Sequence, residues 1–205
     1  MLKIWGRTNS VNVKKVLWAA DELGLKYERV DAGMQFGVVD TPEYKKLNPT
    51  SLVPTIEDDG LVLWESHSIV RYLAAQYGAG TLWPTDARAR AGGDRWMDWA
   101  FTFQVNFRPV FWTLVRTPAE KRDLKAVEEA RKKCAELLAI PDAALGSQPY
   151  LGGSKFSMGD IPLGCHVQLW MRLPIERPRH PNLSAWFERL CERPAFKKHV
   201  DLPLS

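Results

Sequence analysis

Trp5-Gly6-Arg7-Thr8-Asn9-Ser10-Val11-Asn12-Val13 decides how this chain folds. An apolar strand, Leu2 to Trp5, runs into it, and an amphipathic helix leaves it. That helix carries Val13, Val16, Leu17, Ala20 and Leu23 on one face, a period of roughly 3.6 residues. Gly24 supplies its stop, and Lys26 to Asp31 reads as a second strand. Such a β-α-β unit makes a parallel strand pair with a right-handed crossover. Ser10 and Asn12 stand where the helix begins. The first N–H groups of a helix have no partner within it, so that end attracts negative charge. A serine placed there either caps the helix or holds an anion, and the stretch by itself leaves both roles open.

Working outward, Thr41-Pro42-Glu43-Tyr44 opens a short helix with Thr41 as N-cap and Pro42 in the first turn. It ends before Asn48-Pro49. Leu52 to Glu57 is a strand with Pro54 near its start, where a missing N–H does least harm. Asp58-Asp59-Gly60 turns the chain and Leu61 to Trp64 returns it. Glu65-Ser66-His67-Ser68 then starts a helix with Ile69, Val70, Leu73, Ala74 and Tyr77 at helical spacing, stopped by Gly78. His67 reads as a residue on that helix's surface. These elements give a four-stranded mixed sheet with helices on its faces.

Strand signals fade beyond a Gly/Pro-containing connector. The expected organisation is a first domain over 1–78, a linker over 79–86 and an all-helical domain over 87–205. The first helix there is dense in aromatics, Trp96, Trp99, Phe101, Phe103, Phe107, Phe111 and Trp112, and Pro109 predicts a kink. Thr117-Pro118-Ala119-Glu120 reads as a capping box opening a helix to about Leu138, and Ser157-Met158-Gly159-Asp160 as another. Asn182 is expected to cap a further helix, and Pro194 to open a last turn through Phe196.

Composition narrows the function classes. The chain has 205 residues, 45% hydrophobic and 25% charged, the balance of a soluble globular protein. A net charge of +4 with scattered basic residues gives no nucleic-acid tail. The three cysteines, Cys134, Cys165 and Cys191, form no CxxC pair, which argues against a disulfide framework or a zinc ribbon and for a reducing compartment. MLKIWGRTNS lacks the apolar core of a signal peptide, and no window is long and apolar enough for a membrane span. The expectation is a cytoplasmic protein with no metal.

Five features occur together in order: the Ser10-Val11-Asn12 helix start, Leu52-Val53-Pro54-Thr55, Glu65-Ser66-His67-Ser68-Ile69, Ser157-Met158-Gly159-Asp160-Ile161, and Trp186-Phe187-Glu188-Arg189-Leu190 with Arg193-Pro194-Ala195-Phe196. Together they resemble the cytosolic glutathione transferase superfamily over essentially the whole chain. The likeness is to its serine-type bacterial and theta-like branches, with features of the nu class. The resemblance implies a thioredoxin-like α/β N-terminal domain, an all-α C-terminal domain and a homodimer. It implies glutathione as co-substrate, with Ser10 donating to its sulfur and Asn12 donating to the same sulfur or orienting Ser10. A donor beside the sulfur favours the reactive thiolate over the thiol. Val53-Pro54 would be the cis-proline step that presents the Val53 backbone to the cysteinyl part. Ser66 would hold the γ-glutamyl carboxylate, Glu65 its ammonium, and Gln35 the glycyl end. Trp5, Phe36, Phe103, Phe107, Phe111 and Trp112 would wall an apolar pocket for a hydrophobic electrophile. The activity implied is attack of glutathione on hydrophobic electrophiles or on organic hydroperoxides. The competing readings are nu-like disulfide reduction, motivated by the Ser10/Asn12 pair, and a glutathione-transferase-like binding module without turnover.

Overall fold

In the computed structural model, which describes residues 1–204, the chain divides into two units, Met1–Trp83 with Pro194–Leu202, and Pro84–Arg193 with residues 203–204. In the first unit β1 (Leu2–Trp5) leads into α1 (Val11–Glu22) and returns as β2 (Tyr27–Val30), parallel to β1 with Trp5 opposite Val30. The alternation of β1 sends Leu2 and Ile4 to one face, where they meet Val13, Val16, Leu17 and Ala20 of α1. Leu23 closes α1, and Gly24 takes the left-handed conformation (φ 64°) that the helix stop requires.

α2 (Pro42–Leu47) starts as expected, with the Thr41 hydroxyl accepting from Tyr44 N–H at 3.2 Å. β3 (Thr55–Asp58) and β4 (Leu61–Trp64) form the hairpin. Its turn residues Asp59 and Gly60 both have positive φ, 48° and 88°, as a primed two-residue turn demands. β3 runs antiparallel to β1, Thr55 opposite Trp5, and the sheet order is β2-β1-β3-β4. α3 (Ser66–Tyr77) adds Ile69 and Leu73 to the core already built on α1. This is a thioredoxin-like arrangement.

The second unit is helical. α4 (Ala87–Phe111) begins at Asp86, whose side chain accepts from Ala89 N–H at 2.8 Å. Pro109 removes a backbone donor, and the chain answers with a π-helical turn over Trp112–Arg116. α5 (Leu124–Leu145) is capped by Asp123, which accepts from Ala126 N–H at 3.0 Å. The expected start at Thr117 is therefore corrected. Ala119–Lys121 make one isolated turn, held shut where Arg122 Nε donates to Thr117 O at 2.9 Å.

The Ser157–Asp160 box is present and leads into α6 (Ile161–Arg172). Ser157 Oγ accepts from Gly159 N–H at 3.3 Å, and Asp160 accepts from Ser157 N–H at 3.0 Å, Leu151 N–H at 2.8 Å and Trp186 Nε1 at 2.9 Å. Asp160 is fully buried, and desolvation pushes its carboxyl up to about 6 against those donors. α7 (Pro181–Cys191) starts two residues earlier than expected, with His180 at the N-cap position. Asn182 lies inside it and donates to Asp142 O at 3.1 Å.

α8 (Pro194–His199) belongs to the first unit and not, as the expected 87–205 domain had it, to the second. Phe196 packs edge-on against Trp18 of α1 at 4.9 Å. Asp21 takes Lys198 Nζ at 2.6 Å and His199 Nε2 at 2.9 Å. α1 is thus covered by the sheet, by α3 and by α8, and every residue from Val13 to Ala20 is buried.

Candidate active site

The register of the sheet brings the candidate residues together. Trp5, the last residue of β1, lies opposite both Val30, the last of β2, and Thr55, the first of β3. Thr55 in turn lies opposite Trp64, the last of β4. The segment after β1 with Ser10, the loop after β2 with Gln35, the Val53-Pro54 step before β3 and Glu65-Ser66 after β4 therefore leave one end of one sheet. Strand ends of this kind are where open α/β sheets bind ligands. The side chain of Arg7 and that of Val53 both crowd Gly33, where an added Cβ would lie 3.2 and 3.5 Å from them.

Two helix starts face this end. Ser10 has extended backbone (ψ 122°), occupies the N-cap of α1 and is buried, yet its side chain makes no cap hydrogen bond. Ser66, the first residue of α3, is buried as well, and the preceding Glu65 stands at φ 70° without capping the helix. Among the described residues neither serine hydroxyl has a hydrogen-bond partner, and neither is sealed from solvent. Both are donors waiting at the positive ends of helices. Glu65 is exposed. The Val53–Pro54 bond is cis, and Val53 lies just outside the ladder that begins at Thr55. Gln35 sits exposed in a single tight turn over Met34–Phe36.

Asn12 is the second residue of α1 and half-buried, with its Oδ1 accepting from Lys15 Nζ at 3.0 Å. Lys15 is fully buried and its Nζ also meets His67 Nε2 at 3.0 Å. The reading of His67 as a surface residue is overturned, because the first turn of α3 packs it inward onto α1. Neither lysine of α1 carried a signal of burial, since basic residues beside Val13 and Val16 look like a solvated edge. Only the cover supplied by α3 and α8 puts them inside.

Three of the six expected pocket aromatics are placed elsewhere. Trp5 alternates to the sheet face opposite Ile4, where its indole donates to Glu57 Oε1 at 2.8 Å and edges Tyr44 of α2 at 5.8 Å. Phe103 and Phe107 stack on each other at 5.3 Å and against Trp170 inside the helical unit, with no open surface. Phe111 is half-buried, while Phe36 and Trp112 are 44% and 48% exposed. The guanidinium groups of Arg108 and Arg116 lie 5.7 and 5.8 Å from the Trp112 ring. Among the described residues no cluster of His, Cys, Asp and Glu is arranged to hold a metal, and no helix is long and apolar enough to cross a membrane.

A thioredoxin-like domain with anion-seeking helix starts at one sheet end, followed by an all-helical domain, is the architecture of glutathione transferases. Residues 1–75 match the model of the glutathione S-transferase N-terminal domain, and residues 99–194 that of its C-terminal domain. Over the full length of both chains the protein is 42% identical to glutathione S-transferase GstB of Escherichia coli K12. A crystal structure of the theta class glutathione S-transferase of Xanthomonas axonopodis pv. citri with glutathione bound superposes with a TM-score of 0.96 at 52% identity, covering 100% of this chain and 99% of that one. Maize glutathione S-transferase I in complex with an atrazine glutathione conjugate gives 0.87 at 25% identity, with 97% and 96% covered. The chain belongs to the cytosolic glutathione S-transferase superfamily.

Proposed function

We propose that the Ser10 hydroxyl donates to the glutathione sulfur and holds it as the thiolate, which then attacks a hydrophobic electrophile. One observation carries this reading: a buried serine at a helix N-cap whose hydroxyl does not cap the helix. A free thiol near pKa 8.5 is mostly protonated at neutral pH. A hydroxyl donor and the positive end of α1 both favour its ionised form. Ser66 and the first N–H groups of α3 take the γ-glutamyl carboxylate, Glu65 the ammonium, the Val53 backbone the cysteinyl part, and Gln35 the glycyl end. With an aryl chloride as electrophile, the sulfur lone pair forms the S–C bond, and chloride leaves with its bonding pair. Organic hydroperoxides are a second class of acceptor: the thiolate attacks the terminal peroxide oxygen, the alkoxide leaves and takes a proton from solvent, and a second glutathione converts the resulting sulfenic acid to the disulfide and water.

The maize relative holds the glutathione conjugate of atrazine, which supports an aromatic electrophile here too. Within the first unit Phe36, 44% exposed and next to Gln35 in the chain, is the apolar group available to meet it. The likeness to the family further supports a cytoplasmic homodimer.

The test is turnover of 1-chloro-2,4-dinitrobenzene with glutathione by the wild type and by Ser10→Ala. Loss of one such donor is expected to lower kcat on the order of 100-fold with little change in glutathione affinity. Wild-type turnover that survives Ser10→Ala intact would sink the assignment.

A further inference from the structure

Of the two buried lysines of α1, Lys14 is accounted for by the end of the chain, where its Nζ donates to Val200 O at 3.3 Å. Lys15 points the other way. Its Nζ lies 3.0 Å from Asn12 Oδ1 and 3.0 Å from His67 Nε2, with the side chain fully buried. An ammonium has three donors and no acceptor. Its contact with Nε2 therefore makes that nitrogen the acceptor and leaves the imidazole proton on Nδ1. The same logic orients the Asn12 amide: the oxygen faces Lys15, and Nδ2 is the end left to present elsewhere. Among the described residues Nδ2 makes no hydrogen bond.

The placement of this trio gives it meaning. Asn12 stands two residues after Ser10, and His67 directly follows Ser66. One buried cation thus joins the start of α1 to the start of α3, the two places where serine hydroxyls stand open. Sealing an ammonium costs far more than sealing a leucine at a position the core could fill with either.

We propose that Lys15, seated on His67, is a positioning residue that holds the Asn12 amide with Nδ2 turned to the glutathione sulfur as a second donor beside Ser10. This rests on the reading of Ser10 as the seat of that sulfur. Lys15 never touches the tripeptide and acts only through Asn12.

The experiment is a pH titration of the thiolate absorbance of glutathione bound to Lys15→Met, His67→Leu, His67→Gln, Asn12→Ala and Ser10→Ala, with thermal unfolding of each. Lys15→Met and His67→Leu are each expected to raise the pKa of the bound thiol by about one unit, roughly a tenfold loss of thiolate at a pH below it. His67→Gln, whose carbonyl can replace Nε2 as acceptor, is expected to keep the wild-type value. Lys15→Met combined with Asn12→Ala is expected to go no further than Asn12→Ala alone. A wild-type thiol pKa in Lys15→Met, or additive shifts in the double variant, would overturn the proposal. If Lys15→Met does not fold, the His67→Leu and His67→Gln pair decides it, and equal values in the two would overturn it. A thiol pKa unchanged by Ser10→Ala would instead remove the site reading beneath the proposal, a result independent of Lys15.

Discussion

Ser10 and Ser157 each stand directly before a helical turn, and each is buried. Ser157 is closed on itself: its hydroxyl accepts from Gly159 N–H, and Asp160 reaches back to Ser157 N–H. Asp160 then spends its remaining capacity on Leu151 and on Trp186 of α7. At Ser10 the backbone is in the right conformation for a cap and the cap bond is missing. The same residue at the same kind of position does opposite work. A satisfied cap stabilises the fold, while an unsatisfied one leaves a donor and a helix dipole for a ligand. Thr41, Asp86 and Asp123 fall with Ser157, and Ser66 falls with Ser10.

The largest effect that would sharpen this contrast is at Asp160. Asp160→Asn keeps one acceptor oxygen for Leu151 N–H and Trp186 Nε1 but sets an NH2 donor against Ser157 N–H in a sealed site, and about 3 kcal/mol of stability is expected to go, measured by denaturant unfolding near neutral pH. The pH dependence has a definite sign. Burial raises the Asp160 carboxyl from 3.8 to about 6, so the native state holds that proton more tightly than the unfolded chain. The stability this group contributes by titration is full below pH 3.8 and declines as pH rises through about 6. The stability of the wild type relative to Asp160→Asn is expected to fall across that window, and a difference that rises with pH would break the account of Asp160.

Next in size is Ser66→Ala. It is expected to weaken glutathione binding about tenfold by calorimetry, with the unfolding midpoint unchanged, because an open hydroxyl holds no part of the fold. Smallest is Ser157→Ala, expected to cost about 1 kcal/mol of stability and to leave glutathione binding alone. A Ser157→Ala protein of full stability, or a Ser66→Ala protein that melts early, would erase the distinction between closed and open serines.

Much of the fold is legible from local signals, because each acts over a few residues. Asp59-Gly60 makes its turn, Gly24 and Gly78 stop their helices, and Ser157 with Asp160 closes its box. The Thr117 box shows the limit. Its residues are right, but Arg122 folds back onto Thr117 O, and the helix waits for Asp123. The candidate site is legible where it follows chain order, since Ser10, Val53-Pro54 and Glu65-Ser66 each announce themselves by a local helix start or proline step. What stays hidden depends on cover arriving from far along the chain. Lys15 and His67 are buried by the packing of α1, α3 and α8, and α8 begins more than a hundred residues after α3 ends. Trp5 lies on the face opposite Ile4 because β1 alternates through its last residue, which a short apolar run does not announce. The inward turn of Phe103 and Phe107 to Trp170 is hidden because aromatic density along α4 does not say which ring faces the core.

The central claim is that Ser10 is open in order to hold a thiolate. It is tested most directly by the pKa of the glutathione thiol in its complex with the wild type and with Ser10→Ala, read from thiolate absorbance. The wild-type complex is expected to titrate at least about one unit below the free thiol. Ser10→Ala is expected to lose most of that shift, with an unfolding midpoint equal to that of the wild type. A wild-type complex titrating with free glutathione, or a Ser10→Ala protein that keeps the shift and loses stability, would contradict it and make Ser10 one more cap.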